Sequence, residues 1–372
     1  MSGGRIAVLD VLRGVAILGT LGTNIWIFTD PAGPAGFVAG HSDGLRTLLL
    51  TLCNGKFLGL LSIMFGVGMA LQHASAQRRG QRWPGWYLWR SALLFVEGAV
   101  HFVLIFEFDV LTFYAVVSVL VAFLLGRSER VQRFWMIAVG SVHLLVIGGL
   151  TALLMSVDHI QRPAVTANTS SWLAQVSNRL EFALFWRLEA PFAIPVSTVL
   201  FLAGARLLRA GALEDSESGK RIQRRLMVWG IGVGLPLNLV TGFAGGGLVL
   251  VDRYVCAPLV AFGLFGLVTW TVHRMRGEAG VVRRGLTAVG KAAMSCYIAQ
   301  NVIASALCYQ WGLGLASKFD HLMPWWTVGC WLAISTLLMV LASLWLRRFQ
   351  RGPAEAVLHW AYALPRHQTV KV

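Results

Sequence analysis

The sequence predicts an all-α polytopic membrane protein with about ten transmembrane helices and both termini in the cytoplasm. Three observations lead there. Of 372 residues, 56% are hydrophobic and only 13% charged, about half the charged share that a soluble domain carries. The apolar residues fall into runs long enough to cross a bilayer, which takes about 20 residues per helix. Basic residues cluster between those runs in an alternating pattern.

The runs lie at roughly 8–28, 54–73, 89–106, 110–126, 134–155, 190–208, 226–244, 254–273, 286–308 and 325–346. The third and fourth meet at Glu107-Phe108-Asp109, where two acids favour a tight turn at an interface over one long helix. With the N-terminus inside, 23 of the 32 Lys and Arg residues fall in inside loops and 7 in outside loops. Arg13 and Lys291 fall within spans. Merging the third and fourth runs would invert every later loop and erase this bias. The chain therefore reads as a single transmembrane domain over 1–372. It has an outer loop at about 156–189, a cytoplasmic linker at about 211–224 and a short cytoplasmic tail at 347–372.

The net charge of +15 does not indicate a nucleic-acid partner. The basic residues form short clusters that punctuate spans, such as Arg224-Arg225 and Arg347-Arg348, and not one continuous basic face. The five cysteines show no metal-binding spacing and lie in or near apolar runs, where Cys acts as a small hydrophobe. The first run holds Asp10 and Arg13 and is followed by no small-residue cleavage site, so it reads as a span and not as a leader.

Ionisable side chains inside spans are costly and mark cavities or partners. Asp10 and Arg13 sit three apart on one face of the first span, fit for a salt bridge or for an anion site near the cytoplasm. Asn24 lies three turns further along the same face. In the third span Glu97 and His101 are four apart, with Asp109 two turns beyond. That stripe suits a general base oriented by a carboxylate, or a polar network that locks helices. His41, in the first outer loop, is a second candidate base. Gln300 and Asn301 read as helix-packing groups, and the pairs Gly55/Gly59, Gly230/Gly234 and Gly242/Gly246 as close helix contacts.

Four blocks then resemble a known family. They are Leu9-Asp10-Val11-Leu12-Arg13-Gly14 running to Asn24, Gly55-Lys56-Phe57 through Gly68, and His101 through Asp109 to Ala115. The last runs from Val289-Gly290-Lys291-Ala292-Ala293-Met294 to Gly352-Pro353. Together they resemble the YeiB-like family (domain of unknown function 418). Over the first two helices that family is similar to transmembrane acyltransferases, among them the lysosomal heparan-glucosaminide acetyltransferase. The resemblance implies an enzyme that takes acetyl-CoA or another acyl-CoA from the cytosol and acylates a hydroxyl or amine on the far side. Its acceptor would be a small molecule, lipid or sugar. Asp10, Arg13 and Lys56 would bind the donor, and Asn24 would stabilise the oxyanion. The base stays open between His41 and His101, with Glu97 and Asp109 as catalytic neighbours. An exporter of a small lipophilic compound is the alternative. Membrane lipids are the expected surroundings and a homodimer a possible assembly.

Overall fold

The computed structural model describes residues 3–39, 43–156, 169–275 and 278–368, and among these there is helix but no strand. In chain order, the helices of ten or more residues begin with α1 (Gly3–Phe28), α2 (Gly44–Cys53), α3 (Lys56–Arg78), α4 (Trp86–Leu104) and α5 (Leu111–Leu125). Next come α6 (Glu129–Ser156), α7 (Trp172–Glu181), α8 (Ala190–Arg209), α9 (Glu217–Met227) and α10 (Leu235–Ala244). The last are α11 (Ala257–Arg274), α12 (Val281–Lys291), α13 (Ala293–Cys308), α14 (Trp325–Arg348) and α15 (Pro353–Gln368). Eight stretches are long and apolar enough to cross a membrane, and α5 and α13 are shorter apolar helices. Each coincides with one of the ten runs read from the sequence. The architecture is that of a polytopic membrane protein.

The structure refines three of these segments. The run at 286–308 is two helices, because the backbone breaks at Ala292 (φ −110°, ψ 39°). The break exposes the first N–H groups of α13, and Glu355 accepts from Met294 N (2.7 Å) and Ser295 N (3.4 Å), supplying the partners a helix start lacks. The linker at 211–224 is a loop only in its first half. Ser216 caps α9 by accepting from Gly219 N, and that helix continues through a π-helical segment at Val228–Gly234 into α10. The tail is not a loose end: α15 folds back on the bundle, where Trp89 Nε1 donates to the Ala361 carbonyl (3.1 Å).

Polar contacts link segment ends at both ends of the bundle. At the arginine-rich end Arg90 bonds Gln72 and Arg209 bonds Gln132. At the other end Arg46 pairs with Asp30, Arg253 with Glu189 and Arg179 with Glu107. The third and fourth runs are an antiparallel hairpin, with Gly98 of α4 against the backbone of Leu111 and Thr112 in α5.

The first helix is the centre of the bundle: 89% of its apolar window is buried, against 17% for α6 at the periphery. Lipid tails give apolar helices no hydrophobic reason to associate, so close backbone approach has to do it. Gly14 of α1 lies on the Leu286 carbonyl of α12, and Gly290 of α12 lies on the Asp10 carbonyl of α1. Gly66 of α3 and Gly204 of α8 form a second such seam, against Phe201 and Ile63. Gly55 and Gly59 meet Ala257 and Ala261 of α11, so their four-residue spacing does mark a helix contact.

A methyl group at Gly290 would overlap the Asp10 carbonyl, whereas one at Gly329 on α14 would meet nothing within 4 Å. Gly290→Ala should therefore lower the thermal unfolding midpoint in detergent, with a penalty of about 1–3 kcal/mol or more as for overpacked cores. Gly329→Ala should leave it unchanged. Equal midpoints for the two variants would contradict the seam.

Candidate functional site

Four side chains from three separate segments form one hydrogen-bonded line inside the bundle. Asn24 of α1 donates through Nδ2 to Asn301 Oδ1 of α13 (3.2 Å). Asn301 Nδ2 approaches His101 Nε2 of α4 at 3.2 Å, and His101 Nδ1 meets Asp109 Oδ1 at 3.1 Å. His101 and Asp109 are 1% and 0% exposed. An amide N–H can only donate, so Nε2 accepts and the ring proton sits on Nδ1, directed at the carboxylate. This is the neutral tautomer that a general base requires.

Asp109 reaches His101 by a different route from the one its spacing suggests. The α4 helix ends at Leu104, so Asp109 is not on the helical stripe. The turn over 105–110 carries it back against the ring. Its second oxygen accepts from Thr112 N and Oγ1 (3.1 and 3.2 Å) at the start of α5. Glu97 does not orient His101: both its carboxylate oxygens are buried without a hydrogen-bond donor.

The described part of the loop at about 156–189 caps this turn. Arg187 donates to the Asp109 carbonyl (2.8 Å) and to Thr112 Oγ1 (3.1 Å), with its guanidinium 3.7 Å from the centre of the Phe102 ring. Arg179 of α7 is fully buried and pairs with Glu107 at 2.9 Å. Trp172 Nε1 donates to the Leu104 carbonyl.

On the opposite side of His101 a cavity of about 480 Å³ opens toward the arginine-rich end, within the range of small-molecule sites. Arg13, Arg90, Lys291, Arg351 and His359, with the acid Glu355 among them, line its charged part, and Ile17, Leu61, Met64, Leu94 and Leu111 its apolar part. Tyr297 also lines it, and its ring lies 5.0 Å from that of His101. Tyr297 and Asn301 are one turn apart on α13, so a single helix touches both the face and the Nε2 edge of the imidazole. Asp10 pairs with Arg13 at 3.6 Å, and the α1–α12 glycine seam brings Lys291 beside them.

Of the residues picked from the sequence, Asn24, His101 and Asp109 meet in the line, and Asp10 and Arg13 meet at the cavity. Lys56 joins neither. It starts α3 at the other end of the bundle, buried and donating to the Thr51 carbonyl, twelve residues of helix away from Gly68 at the cavity wall. His41 lies outside the described residues. The sequence reading took Asn301 for a packing group and missed Tyr297, Arg90 and the whole of α15. The i, i+4 spacing of Tyr297 and Asn301 was the available signal.

Residues 207–364 match the family described as "Protein of unknown function (DUF418)". Two relatives extend the likeness along nearly the full chain. The uncharacterized protein YxaH of Bacillus subtilis is 25% identical over 401 aligned positions, covering 94% of this chain and 92% of the relative. The uncharacterized protein YeiB of Escherichia coli is 27% identical over 380, covering 94% of each. Residues 207–364 thus carry the DUF418 match, and the chain as a whole is similar to YeiB and YxaH. No solved structure matches it. The region matching the DUF418 description contains Tyr297, Asn301, Lys291 and most of α15. The His101–Asp109 pair and Arg13 lie before it.

The Arg179–Glu107 pair ties the loop at about 156–189 to the turn that holds Asp109. Breaking a buried pair from one side costs about 3–5 kcal/mol, because it strands the other charge. Arg179→Met and Glu107→Gln should each lower stability in denaturant titrations. The double variant should be less destabilised than the sum of the two, by the coupling of residues in contact. Strict additivity would show that the pair does not hold the loop.

Proposed function

We propose that this protein is a transmembrane acyltransferase of the cell membrane, with both termini cytoplasmic. It moves an acyl group, in the simplest case acetyl, from cytoplasmic acyl-CoA to a hydroxyl or amine acceptor reached from the membrane or the outer side. The observation that carries this reading is the pairing of two features: an Asp109-oriented neutral imidazole, and a cavity with a mainly basic charged part and an apolar part, ending one aromatic ring away from it.

Each part has a physical role in that reaction. Arg13 and Arg90, with Lys291 and Arg351, suit the phosphates of CoA, since guanidinium groups bind them in bidentate fashion. The apolar part suits the thin pantetheine arm. Tyr297 stands between the cavity and His101, so the acyl carbon reaches the imidazole when that ring turns aside. His101 Nε2 then takes the acceptor's proton in place of its bond from Asn301. Asn301, held by Asn24, is left with a free N–H for the developing oxyanion.

The break at Ala292 favours a second reading, export of a small lipophilic compound, because interrupted helices line transport sites. The two separate in an assay with the purified protein, using glucosamine as amine probe and octyl glucoside as hydroxyl probe. Release of CoA from acetyl-CoA should depend on one of these acceptors. His101→Ala should lower turnover by about 10²–10⁴-fold, the usual worth of a general base. Arg13→Ala should act mainly through a raised KM for acetyl-CoA. Undiminished turnover in His101→Ala would remove the base assignment. Efflux from vesicles without any acyl-CoA would favour export.

A further inference from the structure

Glu97 is left over by everything above. Among the described residues it is the carboxylate whose two oxygens are both buried with no hydrogen-bond donor. Buried polar groups without partners are rare and call for an explanation. Its place on α4 is specific. Arg90, Leu94, Glu97 and His101 follow one another at intervals of four, three and four residues, which is a single helical stripe. The first two line the cavity and the last is the proposed base. Glu97 therefore lies between the cavity and His101. Asp109, beyond His101, and Glu355, on the cavity wall, both act on it with like charge. Neither can neutralise it. A carboxylate ion in that position is far more costly than the neutral acid, so Glu97 rests with a proton and nothing to give it to within the protein.

We propose that Glu97 is the general acid of the same site and protonates the departing thiol; this inference rests on the acyl-transfer reading. A thiolate expelled into an apolar cavity has no water to stabilise it, so expulsion needs a proton at the sulfur. The acceptor O–H or N–H loses its proton to His101 Nε2, and its oxygen or nitrogen bonds to the acyl carbon. The C–S bond breaks, its electron pair stays on sulfur, and sulfur takes the proton of Glu97. The proton on His101 then passes to Glu97, and the enzyme returns to its starting state with no net gain or loss. Two titratable groups one helix turn apart thus divide the work of acid and base.

A change of leaving group tests this. With glucosamine as acceptor, the full-length protein is assayed with acetyl-CoA, whose thiolate needs a proton, and with p-nitrophenyl acetate, whose phenolate leaves without one. Glu97→Gln should lower turnover of acetyl-CoA by at least about 100-fold and leave that of p-nitrophenyl acetate within about threefold, as expected for loss of a general acid alone. Glu97→Asp should fall between, since it keeps the proton but sets it back by one methylene. Equal losses with both donors would assign Glu97 a structural role and overturn the proposal, as would full activity with both. A wild-type protein that processes neither donor would overturn the acyl-transfer reading itself, and this inference with it.

Discussion

The line from Asn24 through Asn301 and His101 to Asp109 constrains the rest of the molecule, because it is the place where lipid-spanning segments must satisfy one another's polar groups. No water is at hand in a bilayer core to complete an unfinished hydrogen bond. Each of these side chains lies on a segment that would be expensive to bury alone. Joined, they set the depth of α1 against α13 and of both against the α4–α5 turn. The same bonds select the tautomer of His101. Thr112 and Arg187 then secure Asp109 from the far side, so the segment that carries Arg187 is part of the site and not an ornament on it.

The glycine seams make this line possible. Side chains as short as Asn bridge two helices only when the backbones run close. Gly14 and Gly290 give α1 and α12 that approach. The same seam carries Arg13 and Lys291 to one cavity. The break at Ala292 then redirects the chain, so that α13 starts beneath Glu355 and presents Tyr297 and Asn301 to His101. Packing, cavity and polar line are thus consequences of the same few close contacts.

Much of this was legible in the sequence, for physical reasons. A bilayer imposes length and hydropathy on every span, and the arginine distribution separates the α4–α5 hairpin from a single helix. Asp10, Arg13, His101 and Asp109 were visible because charge inside an apolar run has few explanations. What stayed hidden depends on three-dimensional neighbours. Asn301 has the composition of an ordinary packing residue, and only its position opposite His101 distinguishes it. The Ala292 break has no proline to announce it. The helix α15 reads as a tail because its contacts with Met294 and Ser295 come from 60 residues away. Lys56 shows the same dependence: it lies within a span-edge block that resembles the family, and the antiparallel course of α3 places it at the end of the bundle away from the cavity.

The most direct measurement is native mass spectrometry of the purified protein incubated with acetyl-CoA. The account predicts one bound CoA or acetyl-CoA per chain, retained by the wild type and lost when Arg13 and Arg90 are both changed to Ala. A wild-type protein that binds no CoA species at millimolar donor, or a double variant that binds as well as the wild type, would contradict it.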